Sequence, residues 1–296
     1  MNPISRTDDL AALVPQERTN PLKISVLVDN AAGEPRLIAE HGLALLIEVA
    51  GRRILFDSGA GSALEHNARQ LKIKLDRLTD MVVSHSHYDH TSGIPAILDF
   101  NPGIRIYAHP ELFNPRYSRG ELPPHRQIGL PEEVSNVLRQ HVPNIIWTPT
   151  PTPITEGVWV TGAIPRKNDF EDAGGPFFLD PECATRPDPI EGDQAVWAQT
   201  PNGIVVILGC AHAGVVNTLE RVARLTKANR FHAVIGGMHL LRADRRRLHC
   251  TVEAFDRYQV DFVGPCHCTG DSAQDFIRRA VGSRYLEVKT GMTLEF

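Results

Sequence analysis

Apolar and polar positions fall into short runs along this chain, and the period of the runs changes several times. KISVLVDN (23–30) is apolar and β-branched, as a buried strand is. GLALLIEVAGRRILFDSG (42–59) predicts two strands joined by a tight turn at Ala50, Gly51 and Arg52. SALEHNARQLKIKL (62–75) moves to helical spacing. DMVVSHSH reads as a buried strand running into a loop, SGIPAILDF as a short helix and IRIYAHP as the next strand. From 110 to 155 the period weakens among dense prolines, as in ELPPHR and TPTPTP, and the stretch reads as loop or insertion.

The second half is clearer. VWVTGAIPR (158–166) predicts a strand and PFFLDPECATRPDPIEGD (176–193) a loop. QAVWAQT and GIVVILGC form a hairpin across Pro201, Asn202 and Gly203. VVNTLERVARLTKA (215–228) and ADRRRLHCTVEAFDRY (243–258) are amphipathic helices, alternating with the strands FHAVIGG and VDFVGPCHC. SAQDFIRRAVG predicts a last helix and YLEVKTGMTLEF a strand pair. Strand-rich segments first, then βα alternation, indicate an α/β fold: a four-layer αββα sandwich with two sheets face to face. Residues 1–20 read as an N-terminal extension and 21–296 as a single domain, with a loop-rich substrate region at about 110–195.

Composition narrows the function. Of 296 residues, 42% are hydrophobic and 22% charged, and the net charge is −4. That leaves no basic footprint for nucleic acid. No apolar run reaches the length of about 18 residues that a membrane span needs. The N-terminus carries charges among its apolar residues and has no signal-peptide core. The expectation is a cytoplasmic protein with a small-molecule partner, no nucleic acid and no membrane; oligomeric state stays open. Five cysteines, an odd number, argue against a disulfide framework. Three of them, Cys210, Cys266 and Cys268, lie near histidines in CAH and CHC, as small buried hydrophobes or as ligands.

The chemistry concentrates in residues 85–90, HSHYDH, which hold three of the chain's 13 histidines and an aspartate. Alternate residues of an extended segment share a side, so His85 and His87 can face one cation. Asp89 and His90 follow as the chain turns and can face a second. Imidazole and carboxylate are ordinary zinc ligands, and two ions about 3.5–4 Å apart make a hydrolytic centre. GCAHAG (209–214), GGMHL (236–240) and GPCHCTG (264–270) also stand at strand ends, where rigid scaffolds carry chemistry. His41, His66, His109, His125, His141, His232 and His249 read as ordinary surface or core histidines.

HSHYDH after a strand is similar to the H-x-H-x-D-H signature of the metallo-β-lactamase superfamily, and the resemblance runs over residues 22–296. ILFDSG resembles that superfamily's first motif, which implies that Asp57 stands behind the metal loop and orients a ligand. The implied ligands are His85, His87 and His212 for one ion, and Asp89, His90 and His267 for the other. The chain departs from the usual pattern in two places. No histidine occurs between His141 and the hairpin, and GIVVIL ends in Gly209 and Cys210 where the superfamily has a bridging aspartate. His212 is the replacement ligand; Cys210 either ligates or only lines the site. Cys266 and Cys268 would face away if His267 points in. His239 is implied as proton donor or phosphate contact, with a role behind the ligands as the alternative. Arg166, Lys167 and Glu171 stand either at the substrate mouth or on a solvated loop, and Arg166 suits an anionic substrate.

VTGAIPR, DQAVWAQTPNGIVVILGCAHAGVVNTL, IGGMHLL and CHCTG resemble one branch of that superfamily. Its members are commonly named after a dihydropterin-methyl-ribofuranosylaminobenzene 5′-phosphate synthase. The implied cofactors are two divalent transition metal ions, zinc first, with manganese or iron as alternatives. The implied function is a metal-dependent hydrolase that activates a bridging water against an ester, phosphoester or related bond, with Asp89 and His239 catalytic. One alternative is a transferase or synthase on a phosphorylated, pterin-related substrate. Another is a non-enzymatic metal- or ligand-binding regulatory protein.

Overall fold

Ala50 and Gly51 both adopt left-handed backbone, at φ 50° and 73°, and this turn folds residues 42–59 back as an antiparallel pair. The computed structural model describes residues 19–296, so the N-terminal extension lies almost wholly outside the described residues. The chain begins with β1 (Lys23–Val28), β2 (Ala44–Val49), β3 (Arg52–Phe56), α1 (Leu64–Gln70), β4 (Asp80–Val82), the single turn α2 (Tyr88–Thr91), α3 (Ile94–Phe100) and β5 (Arg105–Ala108). Next come β6 (Tyr117–Ser118), β7 (Arg126–Gln127), α4 (Glu132–Gln140), β8 (Ile145–Trp147), β9 (Thr152–Thr155), β10 (Val158–Val160) and β11 (Phe177–Phe178). It closes with β12 (Val196–Thr200), β13 (Gly203–Leu208), α5 (Val215–Thr226), β14 (Ala233–Gly237), α6 (Arg245–Arg257), β15 (Phe262–Cys266), α7 (Asp271–Val281) and β16 (Thr293–Glu295).

One sheet has the order β16-β1-β2-β3-β4-β5-β8 and the other β15-β14-β13-β12-β10-β9. Strand side chains alternate between faces, and here both faces are covered. Leu46, Leu55, Met81 and Ile106 pack with Ile94, Ile97 and Leu138 of α3 and α4. Their neighbours Ile47, Ile54, Val82 and Tyr107 pack with Val160, Val205, Ile207 and Ile235 of the second sheet. Beyond that sheet, Val206, Val234 and Val263 meet Leu219, Val222, Phe255 and Ile277 of α5, α6 and α7. Three cores between successive layers make the four-layer αββα sandwich that the sequence pattern predicts.

β3, β4 and β5 run parallel, as do β13, β14 and β15. The C-terminal ends of parallel strands are where α/β folds place their ligands, and the histidine-bearing turns leave from those ends. A ribbon of order β11-β6-β7 makes a third, small sheet. Among the described residues, no helix is long and apolar enough to cross a membrane.

The structure differs from the sequence reading at several elements. Residues 110–155 contain α4, β8 and β9. Val134, Val137 and Leu138 give α4 an apolar face at helical spacing, but Pro131 and Pro143 bracket it and make the region read as loop. The helix expected over 62–75 ends at Gln70, and Lys72 turns left-handed at φ 57°. The expected strand pair at the C-terminus is one strand, β16, with isolated bridges from Tyr285 to Val263 and from Thr290 to Ala32.

Candidate metal centre

Asp57 is the first residue past β3, fully buried and left-handed at φ 60°. Its carboxylate accepts from Ser84 N, Ser84 Oγ and His90 Nδ1, each at 2.7 Å. Since Ser84 Oγ gives its proton to Asp57, it accepts from His85 Nδ1, 2.9 Å away. One carboxylate therefore fixes two imidazoles with the proton on Nδ1 and the lone pair on Nε2. His212 Nδ1 donates to the Ala173 carbonyl at 2.8 Å. His267 Nδ1 meets Asn30 Oδ1 at 2.9 Å, and the Asn30 amide nitrogen donates to the His267 carbonyl at 3.2 Å. These two rings also keep their lone pairs on Nε2.

The four Nε2 atoms then meet. His85 and His212 Nε2 are 3.2 Å apart, and His90 and His267 Nε2 3.1 Å. His87 adds a buried Nε2 with no hydrogen-bond partner. The ligand atoms of His85, His87 and His212 lie within 4.8 Å of one another. Asp89 Oδ2 is 3.7 Å from His90 Nε2 and 3.4 Å from His267 Nε2. Cys210 Sγ is 3.1 Å from His90 Nε2. The structure thus brings the six expected ligands together in two adjacent groups, with Cys210 beside the second.

Burial, reinforced by the neighbouring imidazoles, pushes His85 and His212 well below the usual imidazole range, and lowers His87 to about 3. None of the three readily takes a proton, and a cation held between them would relieve their close contact. His90 differs: burial opposes its charge, but Asp57 and Asp89 outweigh burial and raise it to about 9. Burial also opposes charge on Asp89, yet His90 and His267 hold its carboxyl well below the usual range. The second group therefore favours a proton on His90, which a bound ion would have to displace.

Several site residues carry no motif. His41, read as an ordinary histidine, has Nε2 3.3 Å from Asp89 Oδ2, and its ring lies 5.3 Å from that of His267. Asp29 accepts from His267 N at 2.8 Å, beside Asn30. An acid closing a buried strand, the cue that marked Asp57, also marks Asp29 just past β1. His239 is left-handed at φ 45°, its ring 4.4 Å from that of His212 and its buried Nδ1 unpartnered. Burial, with Arg247, lowers it to about 4. Phe177 of β11 stands over His87, His212 and His239 at ring distances of 5.3, 5.5 and 5.9 Å.

Arg166 and Glu171 are not at the cleft wall. Arg166 donates to the carbonyls of Pro189 and His212, at 2.7 and 2.6 Å. Glu171 accepts from Val216 N and Asn217 N at 2.8 and 2.9 Å, an anion at the start of α5. Lys167 N donates to Asn217 Oδ1. Their polar groups are engaged by the chain itself because this loop wraps the turn that carries His212. Cys268 does not face away: its Sγ is within 4.8 Å of the ligand atoms of Cys210 and His267. Strict alternation fails because His267 is left-handed at φ 50° and opens a 3-10 turn.

A cleft of about 800 Å³ opens over this centre, a size suited to a small molecule. His87, Asp89, Cys210, His239, His267 and Cys268 line it, with Tyr88, Arg126, Phe177, Leu241 and Arg242.

Comparison with known proteins agrees with this geometry. A family model described as the metallo-beta-lactamase superfamily matches residues 38–163. Over 290 residues the chain is 26% identical to the 7,8-dihydropterin-6-methyl-4-(beta-D-ribofuranosyl)-aminobenzene-5'-phosphate synthase of Methanocaldococcus jannaschii, covering 93% of this chain and 97% of that protein. It is 31% identical over 253 residues to the uncharacterized protein MJ0448 of the same organism, covering 84% and 91%. Among solved structures, Tm1679, described as a metal-dependent hydrolase of the beta-lactamase superfamily, matches with a TM-score of 0.77 at 30% identity, over 93% of this chain and 99% of that one.

Proposed function

The chain belongs to the metallo-beta-lactamase superfamily, and from that premise we propose that it is a dinuclear metal-dependent hydrolase acting on a small ester or phosphoester. One observation carries the proposal. Imidazoles locked with their lone pairs on Nε2, those of His85 and His212, face one another at 3.2 Å beside an unpartnered His87 Nε2. A purely structural cluster would pair donors with acceptors. His85, His87 and His212 would hold one ion; Asp89, His90 and His267, with Cys210 adjacent, would hold the other. Nitrogen, oxygen and sulfur donors together suit zinc. When bound, two such cations supply Lewis acidity and make a water molecule acidic enough to act as a nucleophile near neutral pH.

The chain's own groups do the rest. The ionised Asp89 carboxylate accepts a proton from the nucleophile. His239 presents a half-buried ring to the cleft, placed to hydrogen-bond a substrate oxygen. Phe177, standing over His87, His212 and His239, limits the access of water to that rim. Metal analysis of the purified protein should find close to two transition ions per chain. Asp89→Ala should abolish hydrolysis across a panel of chromogenic esters and phosphodiesters with the far-ultraviolet dichroism unchanged. Full activity in that variant, or a folded wild-type protein that takes up no transition metal, overturns the proposal.

A second reading draws on the synthase relative, which matches nearly the full length of the chain. On this reading the same centre joins two substrates, and water is not the acceptor. Consumption of a phosphorylated pterin only when an aromatic amine is present would favour it.

A further inference from the structure

We infer that Cys268 joins Cys210 as a second thiolate of the site at Asp89, His90 and His267, so that this position selects a thiophilic cation over a hard one. The inference rests on the dinuclear reading above and concerns what the second ion must be.

The topology makes the meeting of these two sulfurs unusual. Cys210 follows β13 and Cys268 follows β15, and β14 lies between them. Neighbouring strands are about 4.8 Å apart, so the two strand ends are separated by about twice that distance. A side chain at the end of β14 would stand between the sulfurs. The residue there is Gly237, and a Cβ built on it would lie 2.7 Å from Cys268 Sγ. The missing side chain is the space the sulfur occupies.

The left-handed turn at His267 then directs the neighbours differently. Cys266 is buried toward Asp29, while Cys268 lines the cleft. Cys268 Sγ reaches 3.8 Å from the Cys210 carbonyl, and the ligand atoms of Cys210, His267 and Cys268 fall within 4.8 Å of one another. With Cys210 Sγ 3.1 Å from His90 Nε2, two sulfurs and two imidazoles converge on one side of the centre. Thiolates favour zinc, cadmium and cobalt over magnesium and manganese. Each thiol releases its proton to solvent as the ion binds.

The test uses the metal-free, full-length protein titrated with Co2+ and followed by absorption. Near-ultraviolet sulfur-to-cobalt charge transfer should grow as the second site fills. Cys268→Ser should lower that band by about half, one of two thiolates being lost, and the Cys210→Ser, Cys268→Ser double variant should abolish it. A band of wild-type strength in Cys268→Ser overturns the inference. Two cobalt ions bound with no charge-transfer band overturn it while the dinuclear reading stands; no cobalt bound at all overturns both. If Cys268→Ser does not fold, alkylation of the wild-type protein decides. Iodoacetamide labelling of Cys268, read by peptide mass with exposed Cys183 as internal reference, should be lost with zinc and retained with manganese. Equal labelling of Cys268 with and without zinc overturns the inference.

Discussion

Asp57→Asn is the substitution that most directly tests how this centre is built. The wild-type carboxylate is fully buried and accepts three hydrogen bonds of 2.7 Å. Asparagine keeps one acceptor, which Ser84 N engages, and places an amide N–H2 where Oδ2 stood. That group faces Ser84 Oγ and His90 Nδ1, both of which were donating. Ser84 must now donate to His85 Nδ1, and His90 Nδ1 must accept. Both rings move their proton to Nε2, the atom each needs free for a cation. One isosteric change therefore blocks a ligand in each group. Loss of such an orienting partner typically weakens metal binding by about 10–100-fold, or about 1.4–2.8 kcal/mol. Zinc affinity is measured by competition with a chromophoric chelator, with circular dichroism reporting the fold. An Asp57→Asn protein that binds two zinc ions with wild-type affinity refutes the argument that locked tautomers aim the imidazoles.

Three further outcomes follow from the same structure. Arg116 is buried and donates to Asp188 at 2.6 and 2.5 Å and to Ser86 Oγ at 2.7 Å; Arg116→Ala leaves Asp188 as an uncompensated buried charge and should cost ~3–5 kcal/mol in urea unfolding, so an unchanged midpoint contradicts the pairing. A Cβ on Gly209 would fall on Ser84 Oγ; Gly209→Ala should cost about 1–3 kcal/mol by overpacking and lower zinc content, and a variant that keeps both ions shows that the Ser84–Asp57 contact is dispensable. Metal held at 100 times its dissociation constant stabilises a fold by about 2.7 kcal/mol, so a chelator should lower the melting temperature in calorimetry, and no shift would separate the metal site from the fold.

Much of this arrangement is legible in the residues. HSHYDH, the hairpin around Pro201, Asn202 and Gly203 and the strand-helix alternation after it need only local periodicity, and the layers follow from it. The site is less legible where backbone turns decide direction. Asp57, Ala211, His239 and His267 all carry positive φ, a choice that costs non-glycine residues about 1–3 kcal/mol and that sequence spacing does not register. Alternation therefore placed Cys268 on the wrong side. His41 and Asn30 lie in the loop between β1 and β2 and meet Asp89 and His267, distant along the chain, only in the folded protein. Arg166 and Glu171 looked like substrate contacts because charged loop residues often are; here backbone donors and acceptors of a neighbouring turn claim them first.

The pairing of His85 with His212, and of His90 with His267, spans 127 and 177 residues of chain. Each pair takes one donor from the first sheet's half of the molecule and one from the second's. A cross-link that closes a loop of about 100 residues removes roughly 4–5 kcal/mol of freedom from the unfolded chain. An ion held across either pair would act as such a cross-link, beside the apolar contact and the Asp29 and Asn30 hydrogen bonds to His267 that already join the sandwich. Loaded with metal, the centre would therefore also be a clasp. Cut between β10 and β12, the chain would yield one fragment with His85, His87, Asp89 and His90 and another with His212 and His267, so that each pair would be divided between them.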